Sequence, residues 1–185
     1  LAVINPKKSI CTYPDKYLAG VGVATKLATA LLGKVPVDLL DLTALGTIAD
    51  LVPLVGENRI FATYGLACIN QRKNIGLTEL VKVAGVEKRV NAAHVGFSIG
   101  PRINAIGRLA SAKKAVELLT TNDSNLAKSL AILLNEKNIE RQALVDTATQ
   151  EAIAKVESEP NAHRKVIVVY QENWNLGVVG IVASR

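Results

Sequence analysis

The chain has no methionine, one tryptophan, two phenylalanines and four tyrosines in 185 residues. So few aromatic rings argue against a surface that stacks several bases in succession. The two cysteines, Cys11 and Cys68, have neither metal-ligand spacing nor a disulfide framework, and a reducing, cytoplasmic setting is the simplest expectation. No apolar run reaches the roughly 20 residues of a bilayer-spanning helix, and no signal-peptide pattern opens the chain, so no membrane partner is expected. His, Asp and Glu are nowhere clustered at ligand spacing, which leaves any single carboxylate unable to build a metal site alone. Internal repeats and low-complexity segments are also missing. The chain starts at Leu1, inside an apolar run, and stops at Arg185, inside a helical pattern that has barely begun. We therefore expect an excised piece of a larger protein.

Aliphatic residues fill the apolar share, which suits helices packed on one another or on a sheet. The net charge is +6, compatible with a polyanionic partner without requiring one. Its distribution is more informative. Residues 1–122 carry 15 basic and 8 acidic side chains, residues 123–160 carry 4 and 7, and residues 161–185 carry 3 and 1. The positive field belongs to the first part.

Along the chain, Leu1–Ile4 reads as a short strand ended by Asn5-Pro6. Leu18–Leu32 has helical periodicity with Gly33 as C-cap, and Gly20 and Gly22 serve either close packing or a ligand. Asp38–Val52 reads as the next helix, with Asp38 as N-cap. Asn58–Gln71 and Gly76–Ala84 follow as shorter helices. Arg59 belongs to a solvated face or to the basic surface. Asn91–Ser98 carries His94, which is either a hydrogen-bonded packing residue or a ligand. Ser111–Thr120 is helical with Ser111 as candidate cap. From Ser124 to about Glu157 no glycine or proline interrupts an approximate helical period; helices of that length bridge domains or form coiled coils. Ser158–Arg164 reads as a linker, Val166–Tyr170 as a buried strand, Trp174–Gly177 as a turn and Val178–Arg185 as the start of a helix.

Two features point to chemistry. Asp50 lies at the end of an apolar helix, beside Pro53, where the macrodipole prefers a cation. A metal ion, an arginine or exposure to water would each compensate it. In Phe97–Leu109, Arg102 and Arg108 sit among Gly100, Pro101 and Gly107. Gly100-Pro101 is expected to break the preceding helix-like run, and Gly107 to let the backbone approach whatever the arginines hold. Guanidinium groups suit a bidentate grip on phosphate, and equally suit anchoring a loop to carboxylates or helix ends.

Three segments resemble the DHH phosphoesterase superfamily and, within it, the RecJ family of single-strand-specific exonucleases. Leu45-Gly46-Thr47-Ile48-Ala49-Asp50-Leu51-Val52-Pro53-Leu54 is similar to the superfamily's fourth metal-binding motif. Gly100-Pro101-Arg102-Ile103-Asn104-Ala105-Ile106-Gly107-Arg108 is close to a RecJ signature. Trp174 through Arg185 is similar to the opening of the second domain, DHHA1. Asn5-Pro6-Lys7 and Gly20-Val21-Gly22-Val23 also fit, so the resemblance covers essentially the whole chain. It implies an α/β fold: residues 1–122 as the C-terminal, mostly helical part of a DHH domain with a parallel sheet, 123–158 as a long connecting helix, and 159–185 as the first βα unit of DHHA1. It also implies a monomeric 5′→3′ exonuclease on single-stranded DNA in repair and recombination, using two Mn²⁺ or Mg²⁺ ions. Asp50 would be a metal ligand, and Arg102, Asn104 and Arg108 would lie against the nucleic acid and its phosphates. Position 175 is Asn where many relatives have His, so no catalytic role falls there. The family's Asp-His-His triplet would precede Leu1 and its glycine-rich motif would follow Arg185, so the chain alone is expected to be inactive. The alternatives are a DHH phosphoesterase acting on short oligonucleotides, cyclic dinucleotides or pyrophosphate, and a non-catalytic nucleic-acid-binding relative.

Overall fold

The computed structural model describes residues 3–158 and 166–185. Helices account for the ordered backbone. They are α1 (Gly20–Leu32), α2 (Leu40–Ala49), α3 (Gly56–Asn70), α4 (Ile75–Val83), α5 (Ala92–His94), α6 (Gly100–Leu109), α7 (Lys113–Thr120), α8 (Ser124–Ser158) and α9 (Leu176–Val182). A 3₁₀ turn at Val37–Leu39 precedes α2, and a π-helical turn at Val95–Ile99 joins α5 to α6.

The α/β expectation is overturned, because no strand occurs among the described residues. Val166–Tyr170 has the composition of a buried strand, yet Val166, Ile167, Val168 and Tyr170 are exposed and the segment is irregular. A strand exists only through hydrogen bonds to a neighbouring strand, and none among the described residues runs beside it. What holds it is Lys155 of α8, whose Nζ donates to Tyr170 O at 2.6 Å and lies 5.5 Å from the Tyr170 ring centroid. The strand-then-helix unit expected near the C-terminal end is therefore absent among the described residues. Residues 3–4 of the first expected strand are likewise irregular, while residues 1–2 and the expected linker over 159–164 lie outside the described residues.

The core forms around α2, which is buried through Leu40, Ala44, Leu45 and Ile48. Side chains from α3, α4, α6, α7 and the first half of α8 complete it, with Leu80, Ile99, Ile106, Leu118 and Leu134 fully enclosed. Glycines set how closely these helices approach. A Cβ at Gly65 would lie 2.2 Å from Leu40 O and 2.3 Å from Ala44 Cβ, so α3 crosses α2 backbone to backbone. The second half of α8 carries α9 instead. Trp174 Nε1 donates to Glu151 Oε2 at 2.7 Å, and Arg185 pairs with Asp146 at 2.9 Å.

Most helix ends follow local chemistry. Gly33 closes α1 with φ +68°, as its sequence position suggests. Asn74 caps α4 by accepting from Leu77 N, and Asp123 opens α8 by accepting from Asn125 N and Leu126 N. His94 is structural: its Nδ1 accepts from Asn91 N at 3.2 Å while Asn91 Oδ1 accepts from His94 N, a reciprocal cap. Asp38 does not cap α2, since Leu39 occupies that position without a side-chain bond. Ser111 does not sit at the cap of α7 either, although its Oγ lies 3.4 Å from Lys113 N.

One acid in this core disfavours its own ionisation. Asp41 is buried in the first turn of α2, and burial pushes its carboxyl above the ordinary carboxylate range despite the bond it accepts from Leu42 N at 2.7 Å. The native state therefore holds this proton to higher pH than the unfolded chain does. Stability falls as pH climbs from the unfolded pKa through the raised folded one, and stays lowered above it. Asp41→Asn is expected to raise the thermal midpoint of the full-length protein near neutral pH and to leave it unchanged at about pH 3, as checked by melting curves at both.

Candidate metal and nucleic-acid site

The end of α2 is built to hold a carboxylate in an unfavourable place. Asp50 N–H donates to Gly46 O at 3.0 Å, closing the last turn, and Leu51 then adopts φ +56°. A left-handed residue ends many helices, but it is normally glycine. A leucine there costs about 1–2 kcal/mol. Leu51 is 79% exposed, so no packing of its side chain offsets that cost. The turn throws the chain outward to Pro53 and leaves Asp50 exposed at the negative end of the helix. No described Lys, Arg or His forms a salt bridge with it. The loop beyond is tied down by Asn58, fully buried, whose Nδ2 donates to Tyr17 O at 2.7 Å and to Pro53 O at 3.1 Å.

Opposite Asp50 lies α6. Gly100-Pro101 does not break the preceding run; the chain stays helical from Ala92 to Leu109. Proline has no N–H to give the ladder. The π turn absorbs this by running one residue longer, with Gly100 N–H donating to Val95 O five residues back. Pro101 then occupies the first turn of α6, where a missing N–H is harmless. Gly100 also sets the distance to α2, because a Cβ there would lie 3.0 Å from Ala49 Cβ and 2.9 Å from Val95 O. Between the two helices is a cleft of about 390 Å³, lined by Gly46, Ala49, Asp50, Gly100, Ile103 and Asn104 among others.

The signature residues separate by helical rotation. Asn104 and Arg108, one turn apart, share the exposed face of α6, with Asn104 in the cleft beside Asp50. Arg102 points the other way. Its Nε donates to Asn135 Oδ1 of α8 at 2.9 Å and its Nη1 to Ser98 O at 2.5 Å, and burial pushes its pKa down. Arg108 reaches across to α9, where Nη1 donates to Gly177 O at 3.0 Å. Gly107 is exposed on the helix, and a Cβ there would meet only Ala112 Cβ at an ordinary 3.8 Å.

Asn175 caps α9 by accepting from Gly177 N at 2.8 Å. Gly22 packs, since a Cβ there would touch Leu18 at 3.2 Å and Phe61 at 3.5 Å. Sequence reading missed Arg141, on the inner half of α8. It is half-buried, its Nε and Nη2 both lie within hydrogen-bond range of Asn138 Oδ1, and the charges of Arg108 and Arg185 reach it. In the sequence it is one of many mixed charges on a long helix, and nothing local distinguishes it.

Among the described residues no group of three or more His, Cys, Asp or Glu could hold a metal ion. Asp50 is a single exposed carboxylate that no described cationic side chain pairs with. That chemistry fits a hard divalent cation, but supplies one ligand only. No helix among the described residues is long and apolar enough to cross a membrane.

No family model matches the chain. The single-stranded-DNA-specific exonuclease RecJ of Bacillus subtilis is 51% identical over 185 residues, all of this chain and 23% of that protein. Two crystal structures of RecJ from Thermus thermophilus, one in complex with Mn²⁺ and one with Mg²⁺, superpose with a TM-score of 0.82 at 38% identity. They cover 94% of this chain, which in turn spans 26% and 28% of theirs. The chain thus spans about a quarter of the length of these relatives. With that identity running over its whole length, the chain is a homologue of part of bacterial RecJ.

Proposed function

We propose that the chain is part of a metal-dependent exonuclease that hydrolyses phosphodiesters of single-stranded DNA from the 5′ end, in repair and recombination. The observation that carries this reading is the cleft in which Asp50, exposed and without a counter-charge among the described residues, faces Asn104 on the helix face that also bears Arg108. The RecJ homology supports it.

In this reading Asp50 contributes one carboxylate to a pair of Mn²⁺ or Mg²⁺ ions, whose other ligands come from outside the described residues. Bound there, the ions would activate water and offset charge on the phosphate under attack. The chain's own residues bind and orient. Asn104, an amide donor in the cleft, is placed to hold a non-bridging oxygen or a base edge beside Asp50. Arg108, one turn further on, is placed for the next stretch of backbone. Arg102 belongs to the same path by its motif, and its bonds to Asn135 and Ser98 give it a second role in holding α6 against α8. Residues 1–122 then form the end of the catalytic domain, 123–158 the connecting helix, and 159–185 the opening of a second domain.

Product analysis on the full-length protein tests this. With Mn²⁺, long single strands labelled at the 5′ end should release mononucleotides stepwise while blunt duplex resists. Cleavage of dinucleotides or cyclic dinucleotides with long strands untouched would instead favour a DHH phosphoesterase of small substrates.

A further inference from the structure

The row of guanidinium groups along α8 is held almost entirely by neutral acceptors. Arg102 bonds to the Asn135 side chain and to Ser98 O, Arg141 to the Asn138 side chain, and Arg108 to Gly177 O. Amide and peptide oxygens fix where a guanidinium points without cancelling its charge. The one carboxylate in the group, Asp146, already pairs with Arg185 at 2.9 Å. The like charges of Arg108 and Arg185 bear on Arg141, which is half-buried against Asn138, and the Asp146 carboxylate that Arg185 engages offsets them only in part. Holding a half-buried guanidinium beside two exposed like charges is unfavourable unless an anion is there to meet them. Three elements converge on the spot: the end of α6, the middle of α8 and the start of α9.

We propose that Arg141, together with Arg108, forms a second phosphate-binding point for a single-stranded nucleic acid, separate from the cleft at Asp50. The inference rests on the proposed function for its ligand. A strand whose reacting phosphate lies beside Asp50 and Asn104 and runs toward the C-terminal end of α6 passes Arg108 one turn later, about 6 Å along the axis, and meets Arg141 there. Asn138 aims the guanidinium fork and leaves its charge for the phosphate. Arg141 touches no reacting atom in this arrangement; it holds the strand.

The test is equilibrium binding of a 12-nucleotide oligothymidylate to the full-length protein, without divalent metal, across a salt series. Arg141→Gln should weaken binding about tenfold and lower the slope of log K against log salt by about 0.7, the amount for one phosphate on a single strand. Arg141→Lys should keep the wild-type slope. A fold defect would lower the melting temperature but leave the slope of the folded fraction in place. If Arg141→Gln does not fold, wild-type protein is titrated with oligomers carrying one neutral methylphosphonate at successive positions. A slope loss of the same size at one position a few nucleotides from the 5′ end supports the site. Wild-type slope and affinity in Arg141→Gln, or no such position in the methylphosphonate series, would overturn it. Failure of the wild-type protein to bind the oligomer at all would count against the proposed function itself, and is distinguishable on that ground.

Discussion

Asp50→Ala in the full-length protein is expected to reduce Mn²⁺-dependent hydrolysis of single-stranded DNA by well over 100-fold, while most of the affinity for the strand survives. Loss of a group that only orients a metal ligand costs about 10–100-fold, and a ligand itself should cost more. Affinity survives because the described contacts available to a strand lie elsewhere, on the exposed face of α6 and along α8. The substitution should not damage the fold. Asp50 is exposed, makes no salt bridge to a described residue, and stands where the helix dipole opposes its charge. Removing it should leave stability unchanged or raise it by a few tenths of a kcal/mol, at the lower end of dipole effects. Single-turnover cleavage, gel-shift affinity and a melting curve on the same preparation separate the three quantities. Nuclease activity near the wild-type rate would remove Asp50 from the metal site.

Gly76→Ala should be the most damaging glycine-to-alanine change in this chain. A Cβ at Gly76 would lie 1.7 Å from Leu118 O and 2.6 Å from Leu118 C. Both are backbone atoms of α7, so no rotamer change relieves the overlap. The neighbouring cap locks the same contact, because Asn74 Nδ2 donates to Leu119 O at 3.0 Å. Overpacking commonly costs about 1–3 kcal/mol, and this site should lie at or beyond the upper end. Gly180→Ala is the matched control. Its Cβ would meet nothing within 4 Å, and it sits inside α9, where alanine is favoured over glycine by about 0.5–1 kcal/mol. Denaturant midpoints should therefore move in opposite directions for the two variants. An unchanged midpoint for Gly76→Ala would mean that α4 and α7 do not meet backbone to backbone.

The helices were legible where the 3.6-residue period runs uninterrupted. The span expected for α8 from its lack of glycine and proline is the span observed, and α1, α3 and α4 differ from expectation by a residue or two. Errors arose where one residue type supports two outcomes. Gly100-Pro101 reads as a break, but a single π turn spares the ladder and keeps the helix. Val166–Tyr170 has the β-branched run of a strand, yet strand formation depends on a neighbour that local composition cannot supply. Gly65 and Gly76 look like ordinary helix-weakening glycines; their necessity appears only once α3 is laid on α2 and α4 on α7.

The candidate site divides the same way. Asp50 stood out because a carboxylate at a helix C-terminus violates a local rule. Its neighbour Asn104 is far away in the chain, and only the α2–α6 crossing set by Gly100 and Ala49 brings them into one cleft. The motif presents Arg102 and Arg108 as a pair, but two residues of helix turn Asn104 about 200° from Arg102 and send the arginine to α8. Arg141 could not be found from sequence, since its distinction lies in neutral partners contributed by the fold.

The most direct test of the central claim, that Asp50 is a metal ligand in the α2–α6 cleft, is a change of metal preference. Asp50→Cys replaces a hard oxygen donor with a soft thiolate at the same position. In the full-length protein, hydrolysis of single-stranded DNA by this variant should be lost with Mg²⁺ and restored in part by Cd²⁺, with no such restoration in Asp50→Ala. Cleavage by Asp50→Cys at the wild-type rate with Mg²⁺ would contradict the assignment.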